Sequence, residues 1–292
     1  MFDLRYHVVS LAAVFLALTI GMLVGVGLAA STDVGESERR VLEERNADLQ
    51  QRVNDLSAEA DLLRRQRDAA EAYTKATYRS VMDGRLRGVR VGLLFVGQAD
   101  ESARVSVQQT LDDGSAPGLV RMRALKLPVD GAEMQQALEP QFSGMSADDV
   151  GRRLGEEFVN GGETPFWDAL EPVIVEDQHG AGTDELDAVV VSHTVVTAKD
   201  DTQRLIDGLY AGLAAAGVPA VGIERTDARP SRIPVYRTNR VSSVDAADTQ
   251  VGRVALAVLL AGGSEGHYGL KETADGVLPR VEPLPLAPPP GG

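Results

Sequence analysis

Hydrophobic and polar positions fall into three textures along the 292-residue chain. In the first, Val8 to Ala30 (VVSLAAVFLALTIGMLVGVGLAA), no charged residue interrupts 23 consecutive positions. As a helix this run would be about 35 Å long, enough for a hydrocarbon core of roughly 30 Å with some tilt. It has no polar face, which sets it apart from a surface helix of a soluble domain. It also exceeds the apolar stretch of about 7–15 residues in a secretory signal, although Gly27-Leu28-Ala29 offers a small-x-small cleavage site. An uncleaved anchor and a removed signal both fit, and the length favours an anchor over 8–30 behind a short cytoplasmic tail, 1–7. Arg5 is the sole lysine or arginine before the span, while Arg39, Arg40 and Arg45 follow it. A simple count therefore favours the opposite orientation, but large following domains translocate largely regardless of charge. The expectation is a cytoplasmic N-terminus with the main domain outside the cytoplasm, in the cell envelope.

The second texture is a long helix. Between Glu36 and Tyr78 the chain has neither Pro nor Gly, and Leu42, Leu49, Leu56 and Leu63 recur every seventh residue, with Ala70 continuing the series. Taking these as d positions puts Asn46, Val53, Ala60, Arg67 and Thr74 at a. Valine at a with leucine at d suits a parallel pair, and one asparagine at a fixes its register. The spacing predicts a coiled-coil stalk over 36–80, about 43 Å long from Leu42 to Ala70. The competing reading is one amphipathic helix lying on its own domain. Within the apolar span, Ala13, Ala17, Gly21 and Gly25 fall every fourth residue, a row of small side chains that lets a second helix approach closely. Together these rows predict a parallel homodimer or higher homo-oligomer.

In the third texture, short apolar runs alternate with helical patterns from about residue 85 to 280. Gly84–Gly88 reads as a hinge. Strands are expected at Val89–Val96, Gly118–Leu127, Pro172–Glu176, Asp187–His193 and Val218–Glu224. Helices are expected at Asp100–Leu111 with Asp100 as N-cap, from Ser146 to Phe158, at Asp200–Ala216 and at Asp245–Ala261. Strands separated by helices predict an α/β sandwich on a mostly parallel sheet, Rossmann- or flavodoxin-like. The pattern is weakest between Val129 and Gly182, where an inserted helical subdomain would fit. Residues 281–292 form a Pro-rich tail, extended and disordered by composition.

Composition narrows the chemistry. The chain has no cysteine, which excludes disulfides, thiolate nucleophiles and Cys-ligated metal sites. A net charge of −14 argues against nucleic acid as a partner. Most of that charge, −12, belongs to residues 81–292, where a solubilising surface is the commoner explanation. Aromatic residues at 4% are sparse for a membrane β-barrel with its two aromatic girdles.

No catalytic signature is present. The first strand is followed by neither G-x-G-x-x-G nor a P-loop, and there is no G-x-S-x-G elbow or H-E-x-x-H. The chain therefore reads as a non-enzyme. His193 stands at a strand's C-terminal end, where α/β proteins place ligands, although a loop histidine capping or contacting the backbone is the commoner explanation. Ser242, Ser243 and Asp245 lead into an apolar helix and are expected to cap it. His267 and Tyr268, between Gly266 and Gly269, form a tight polar turn that either docks the chain back on the sheet or lines a site.

The opening LRYHVVSLAAVFLALTIGMLVGVG, the Leu-rich stalk, SSVDAADTQVGRVALAVLL and GHYGLKETA resemble the actinobacterial copper transporter family. The family-like positions are Ser242, Ser243, Asp245, Gly266, His267, Tyr268, Gly269 and Lys271. The resemblance implies copper efflux or tolerance across the cell envelope, attributed in the family to a pore-forming outer-membrane protein. The chain's own pattern bears on that mechanism, because its strands are few and spaced by helices, unlike the even series of a barrel. One apolar span per chain also encloses no aqueous path unless several chains assemble. Copper(I) prefers Cys and Met ligands, and no methionines cluster here. Under the resemblance, His267 and His193, with Asp245 nearby in sequence, are the candidate ligands for a copper ion. The alternative is a non-transporting dimeric scaffold that binds another envelope protein or a cell-wall component. A degenerate enzyme site around His193 is the weakest option.

Overall fold

The computed structural model describes residues 4–29, 32–180, 183–195 and 197–283. Most of the Pro-rich tail read over 281–292, and the first residues of the tail read over 1–7, lie outside that set. The chain divides into two units, residues 1–70 and 71–292, described separately below.

In the first unit, α1 (Leu4–Ala29) is helical throughout the apolar run. Its segment His7–Gly27 is long and apolar enough to cross a membrane, and none of it is buried. Ala13, Ala17, Gly21 and Gly25 lie along it at intervals of four, so they share one face. A second helix, α2 (Thr32–Met82), runs through the heptads. Leu42, Leu49, Val53, Leu56 and Leu63 are all exposed, and Asn46 sits among them, also exposed. Ion pairs within the helix, such as Arg52–Asp48 and Arg64–Asp61, occupy its polar positions.

The second unit begins on the last turns of α2, where burial starts. Tyr78, Met82 and Leu86 all enter a hydrophobic core. Gly84–Gly88 is accordingly a packed turn rather than a free hinge, with Leu86 fully buried and its N–H donating to Gly114 O at 2.8 Å. The order after that is β1 (Val91–Val96), α3 (Glu101–Asp113), β2 (Leu119–Leu125), α4 (Gly131–Leu138), α5 (Ala147–Asn160), α6 (Pro165–Ile174), β3 (Val175–His179), β4 (Ala188–His193), α7 (Asp200–Ala215), β5 (Ala220–Ile223), α8 (Ile233–Thr238), β6 (Ser242–Val244), α9 (Gln250–Leu260) and β7 (His267–Tyr268).

The seven strands among the described residues form one sheet in the order β3-β2-β1-β4-β5-β6-β7, parallel except for the β2/β3 pair. The mixed α/β fold with a mostly parallel sheet thus matches the pattern of the sequence. Alternate residues of β1 face opposite layers. Val91, Leu93 and Phe95 join the core under α3 and α9, while Leu94 and Val96 join the core under α5, α6 and α7. Burial on both faces explains why this strand reads as a continuous apolar run.

Three local expectations change. Pro172 to Ile174 belong to α6 rather than to a strand, because Phe166, Trp167, Leu170 and Ile174 bury one helical face. The edge strand β3 then starts at Val175 and is mostly exposed, so it has no apolar alternation to reveal it. The weakly patterned region from Val129 to Gly182 supplies α4, α5 and α6, which pack into the same core as α7. Ser242 and Ser243 lie in β6 and do not cap a helix. Thr249 caps α9 instead, its Oγ1 accepting from Gly252 N.

Glycine sets the closest packing in the unit. On α5, Gly151 and Gly155 face Gly208 and Gly212 of α7, four residues apart on each helix. A Cβ at Gly151 would stand 2.1 Å from Leu205 O, and one at Gly208 2.0 Å from Asp148 O. The two backbones therefore touch directly, which no larger residue permits.

Candidate functional site

Two polar regions are built at the carboxyl ends of the strands. The first is a clasp formed by the C-terminal segment. After α9 the chain returns to add β7 beside β6, so the His267-Tyr268 turn docks back onto the sheet. Ser243, on β6, is fully buried, and its Oγ shares a hydrogen bond of 2.8 Å with His267 Nδ1. His267 N donates to Asp275 Oδ2 at 3.0 Å, and Gly266 N donates to Ser242 Oγ at 3.2 Å. Burial lowers the His267 pKa, the nearby Arg237 charge adds to this, and Asp275 opposes it.

Asp245 follows β6 and is fully buried. Its two carboxylate oxygens accept from Leu270 N at 2.7 Å and Lys271 N at 3.0 Å, which fixes the turn after β7. A Cβ at Gly269 would fall 1.8 Å from Asp245 Oδ1, so that carboxylate can approach only a glycine there. Lys271 Nζ reaches back to Glu224, just past β5, at 2.5 Å, and donates also to the Arg225 and Ala228 carbonyls. The family-like residues from Ser242 to Lys271 therefore converge in one hydrogen-bonded clasp, and its acceptor groups are used within the chain.

The second region is a crevice of about 430 Å³. It opens where the sheet order reverses. The connection after β1 enters α3 on one face, while the connection after β4 enters α7 on the other. Adjacent parallel strands whose connections diverge in this way leave a gap at their carboxyl ends, the general ligand position of open α/β sheets. Asp100 and Ser106 of the α3 region, Ser192 and His193 of β4, and Arg232 before α8 are among its lining residues.

The crevice floor is braced by two tyrosines. Tyr236 is fully buried, and its hydroxyl donates to the carbonyls of Val191 and Ile223 and accepts from His193 N at 2.9 Å. Tyr210 OH shares a hydrogen bond of 3.0 Å with His193 Nδ1. Burial pushes the His193 pKa down to about 4, the Arg232 charge pushes the same way, and a hydrogen bond with the Val195 backbone opposes them. His193 is therefore a neutral imidazole near pH 7.

The structure does not bring the candidate copper ligands together. His193 ends β4 and His267 begins β7, and β5 and β6 lie between those strands. Three strand spacings put the two backbones about 14 Å apart. Among the described residues, no three His, Asp or Glu side chains gather as a metal-binding group. Sequence reasoning located His193 at the strand end but missed Ser192, Arg232, Tyr210 and Tyr236. These residues come from three separate segments, β4, α7 and α8 with its N-cap, and no local pattern links them.

The last turns of α2 carry a polar cluster of their own within the second unit. Tyr78 OH donates to Asp113 Oδ2 at 2.5 Å and accepts from Arg253 Nε at 3.0 Å. Burial and the Asp113 carboxylate push the Tyr78 pKa up to about 12.

Comparison with known proteins places these features in a lineage. The family described as "Copper transport outer membrane protein, MctB" matches residues 1–124 and 154–279. The unmatched stretch between them contains α4. The chain is also 25% identical to the Copper transporter MctB of Mycobacterium bovis, over 92% of this chain and 96% of that protein. The Mycobacterium tuberculosis proteins of the same name, from two strains, match to the same extent. The match runs from the apolar helix through the sheet to the β7 clasp, and the chain belongs to the MctB copper transport family.

Proposed function

We propose that this chain is a membrane-anchored envelope protein that serves copper transport, without catalysis of its own. The observation that carries the reading is the family match at both ends of the chain, covering α1, α2 and the strand framework. The apolar α1 supports the membrane anchor. Copper is the cargo in this reading, not a resident cofactor. With no cysteine in the sequence, contact with it runs through isolated histidine or carboxylate groups, or through a partner.

The exposed leucine row on α2 supports a parallel homodimer, since one chain leaves Leu42, Leu49, Leu56 and Leu63 in water. Paired or further assembled anchors would be the minimum for a channel role, because a single apolar helix encloses no pathway. The globular unit lies outside the cytoplasm in this arrangement. A reporter fused after Gly292 tests that placement, and activity of a cytoplasm-only reporter would reverse it.

The test of function is copper accumulation and tolerance in a strain lacking the gene, with and without the full-length chain restored. Higher cell copper and lower tolerance, both corrected by restoration, support transport. Unchanged copper handling together with an envelope defect supports a second reading, a scaffold that holds another envelope protein or a cell-wall component. That alternative is favoured by one observation, the absence of a metal-binding group among the described residues.

A further inference from the structure

The crevice at the β1/β4 reversal has no part in the copper reading, and its chemistry points to a ligand of its own. We propose that it binds a small organic anion whose carboxylate or phosphoryl group is held by Arg232 and Ser192. Arg232 is half-buried in the wall, yet its guanidinium has no hydrogen-bond or ion-pair partner among the described residues. Its backbone N–H is fixed by Glu224 Oε2 at 2.5 Å, so the residue is positioned while its charge is left unused.

The acidic groups around it are all engaged elsewhere. Glu224 accepts from Lys271 Nζ and Ser231 Oγ, Asp227 pairs with Arg225, and Asp100 caps α3 through Ser102 N and Ala103 N. The Asp100 cap also closes the α3 N-terminus to an incoming anion, leaving the guanidinium as the anchor. Ser192 supplies the second donor. The residue is only 5% exposed, and its hydroxyl, which has no partner among the described residues, belongs to the crevice lining. His193 beside Arg232 is neutral, so the guanidinium is the charged donor of the pair.

The volume sets the class. About 430 Å³ is larger than a lone inorganic ion needs and falls in the range of small-molecule pockets. Charge-assisted bonds from a guanidinium to an oxyanion are the strong kind, and partial burial strengthens them. The chain as a whole carries −14, so anion binding here requires a local cationic anchor rather than a favourable overall field. The inference is independent of copper and stands or fails without it.

The test is titration of the full-length protein in detergent micelles with citrate, with glycerol 3-phosphate and with glycerol as the neutral control. The His193 ring resonance is identified by its loss in His193→Gln. We expect one of the two anions, or both, to shift that resonance saturably while His267 and glycerol give no response. Whichever anion saturates assigns the carboxylate or the phosphoryl class. Arg232→Gln should weaken binding about tenfold or more, Ser192→Ala should weaken it less, and Arg240→Gln on the exposed surface should leave it unchanged. Unchanged fluorescence of the buried Trp167 shows that each variant is folded. No saturable shift with either anion, or equal affinity in folded Arg232→Gln, overturns the proposal.

Discussion

The Lys271 ammonium lies 2.5 Å from Glu224 Oε1, and the two side chains are only 13% and 3% exposed. This pair ties the turn after β7 to the end of β5, across β6. Three oxygens satisfy the ammonium, and Ser231 Oγ and Arg232 N complete the carboxylate's shell. Removing one partner leaves a buried charge alone, which costs about 3–5 kcal/mol, whereas replacing both with apolar residues is far milder. Lys271→Met should therefore destabilise the globular unit more than Lys271→Met combined with Glu224→Leu. Denaturant unfolding followed by Trp167 fluorescence checks this, since Trp167 is the sole tryptophan and sits at 4% exposure in the core.

Asp245 is the second fastener of the same turn. With both oxygens accepting backbone N–H groups, Asp245→Ala would leave two donors without partners in a buried site. The expected loss is about 2–4 kcal/mol. Hydrogen exchange should locate it first at Leu270 and Lys271, and unchanged exchange there would contradict the clasp.

The α5–α7 contact predicts steric intolerance. Gly151→Ala or Gly208→Ala would place a Cβ about 2 Å from a carbonyl oxygen of the facing helix, forcing the backbones apart at a cost of about 1–3 kcal/mol or more. Gly276→Ala meets nothing within 4 Å and should be nearly neutral. Thermal unfolding of the three variants compares them directly.

Stability should fall on acidification. His193 has a folded pKa of about 4 against an ordinary 6.5. Between those values the unfolded chain binds the proton that the folded site refuses. Its contribution is therefore fully present above about pH 6.5 and lost as pH falls toward 4, at most about 3 kcal/mol. His267 is shifted in the same direction and adds to the slope. Denaturant midpoints measured across that window should fall steeply for the native chain and less steeply for His193→Gln.

The absence of cysteine makes the proposed pairing of α2 directly testable. Leu49→Cys or Leu56→Cys, at d positions, should form an interchain disulfide on mild oxidation of the full chain in membranes. Gln51→Cys, on the outer face of the same heptad, should not. Equal cross-linking at all three would argue against a register-fixed parallel pair.

How much was legible depended on whether a signal was local. The uncharged run from Val8 to Ala30, the heptad leucines and the apolar runs of β1 and β4 carry their own periodicity, so their elements could be placed without a structure. So could Asp100 and Ser146 as N-caps, because a cap bonds within its own first turn. Ser242 and Ser243 misled for the same reason. Their cap-like composition is local, but their pairing with His267 comes from a strand 24 residues away. Pro172 and Val175 show another limit, since a polar edge strand directly following a short helix leaves no change of period to detect.

The sequence alone determined the membrane-compatible helix, the long uninterrupted helix after it, the α/β class and the exclusion of thiolate chemistry, since each follows from composition or from short-range spacing. Only the tertiary structure decided that the 242–271 motif is a clasp and that β5 and β6 stand between His193 and His267. It likewise placed Arg232 and Ser192 together over the β1/β4 reversal. Those relationships depend on strand order and on which face each helix covers. Both are set by the packing of segments far apart along the chain, which no local pattern encodes.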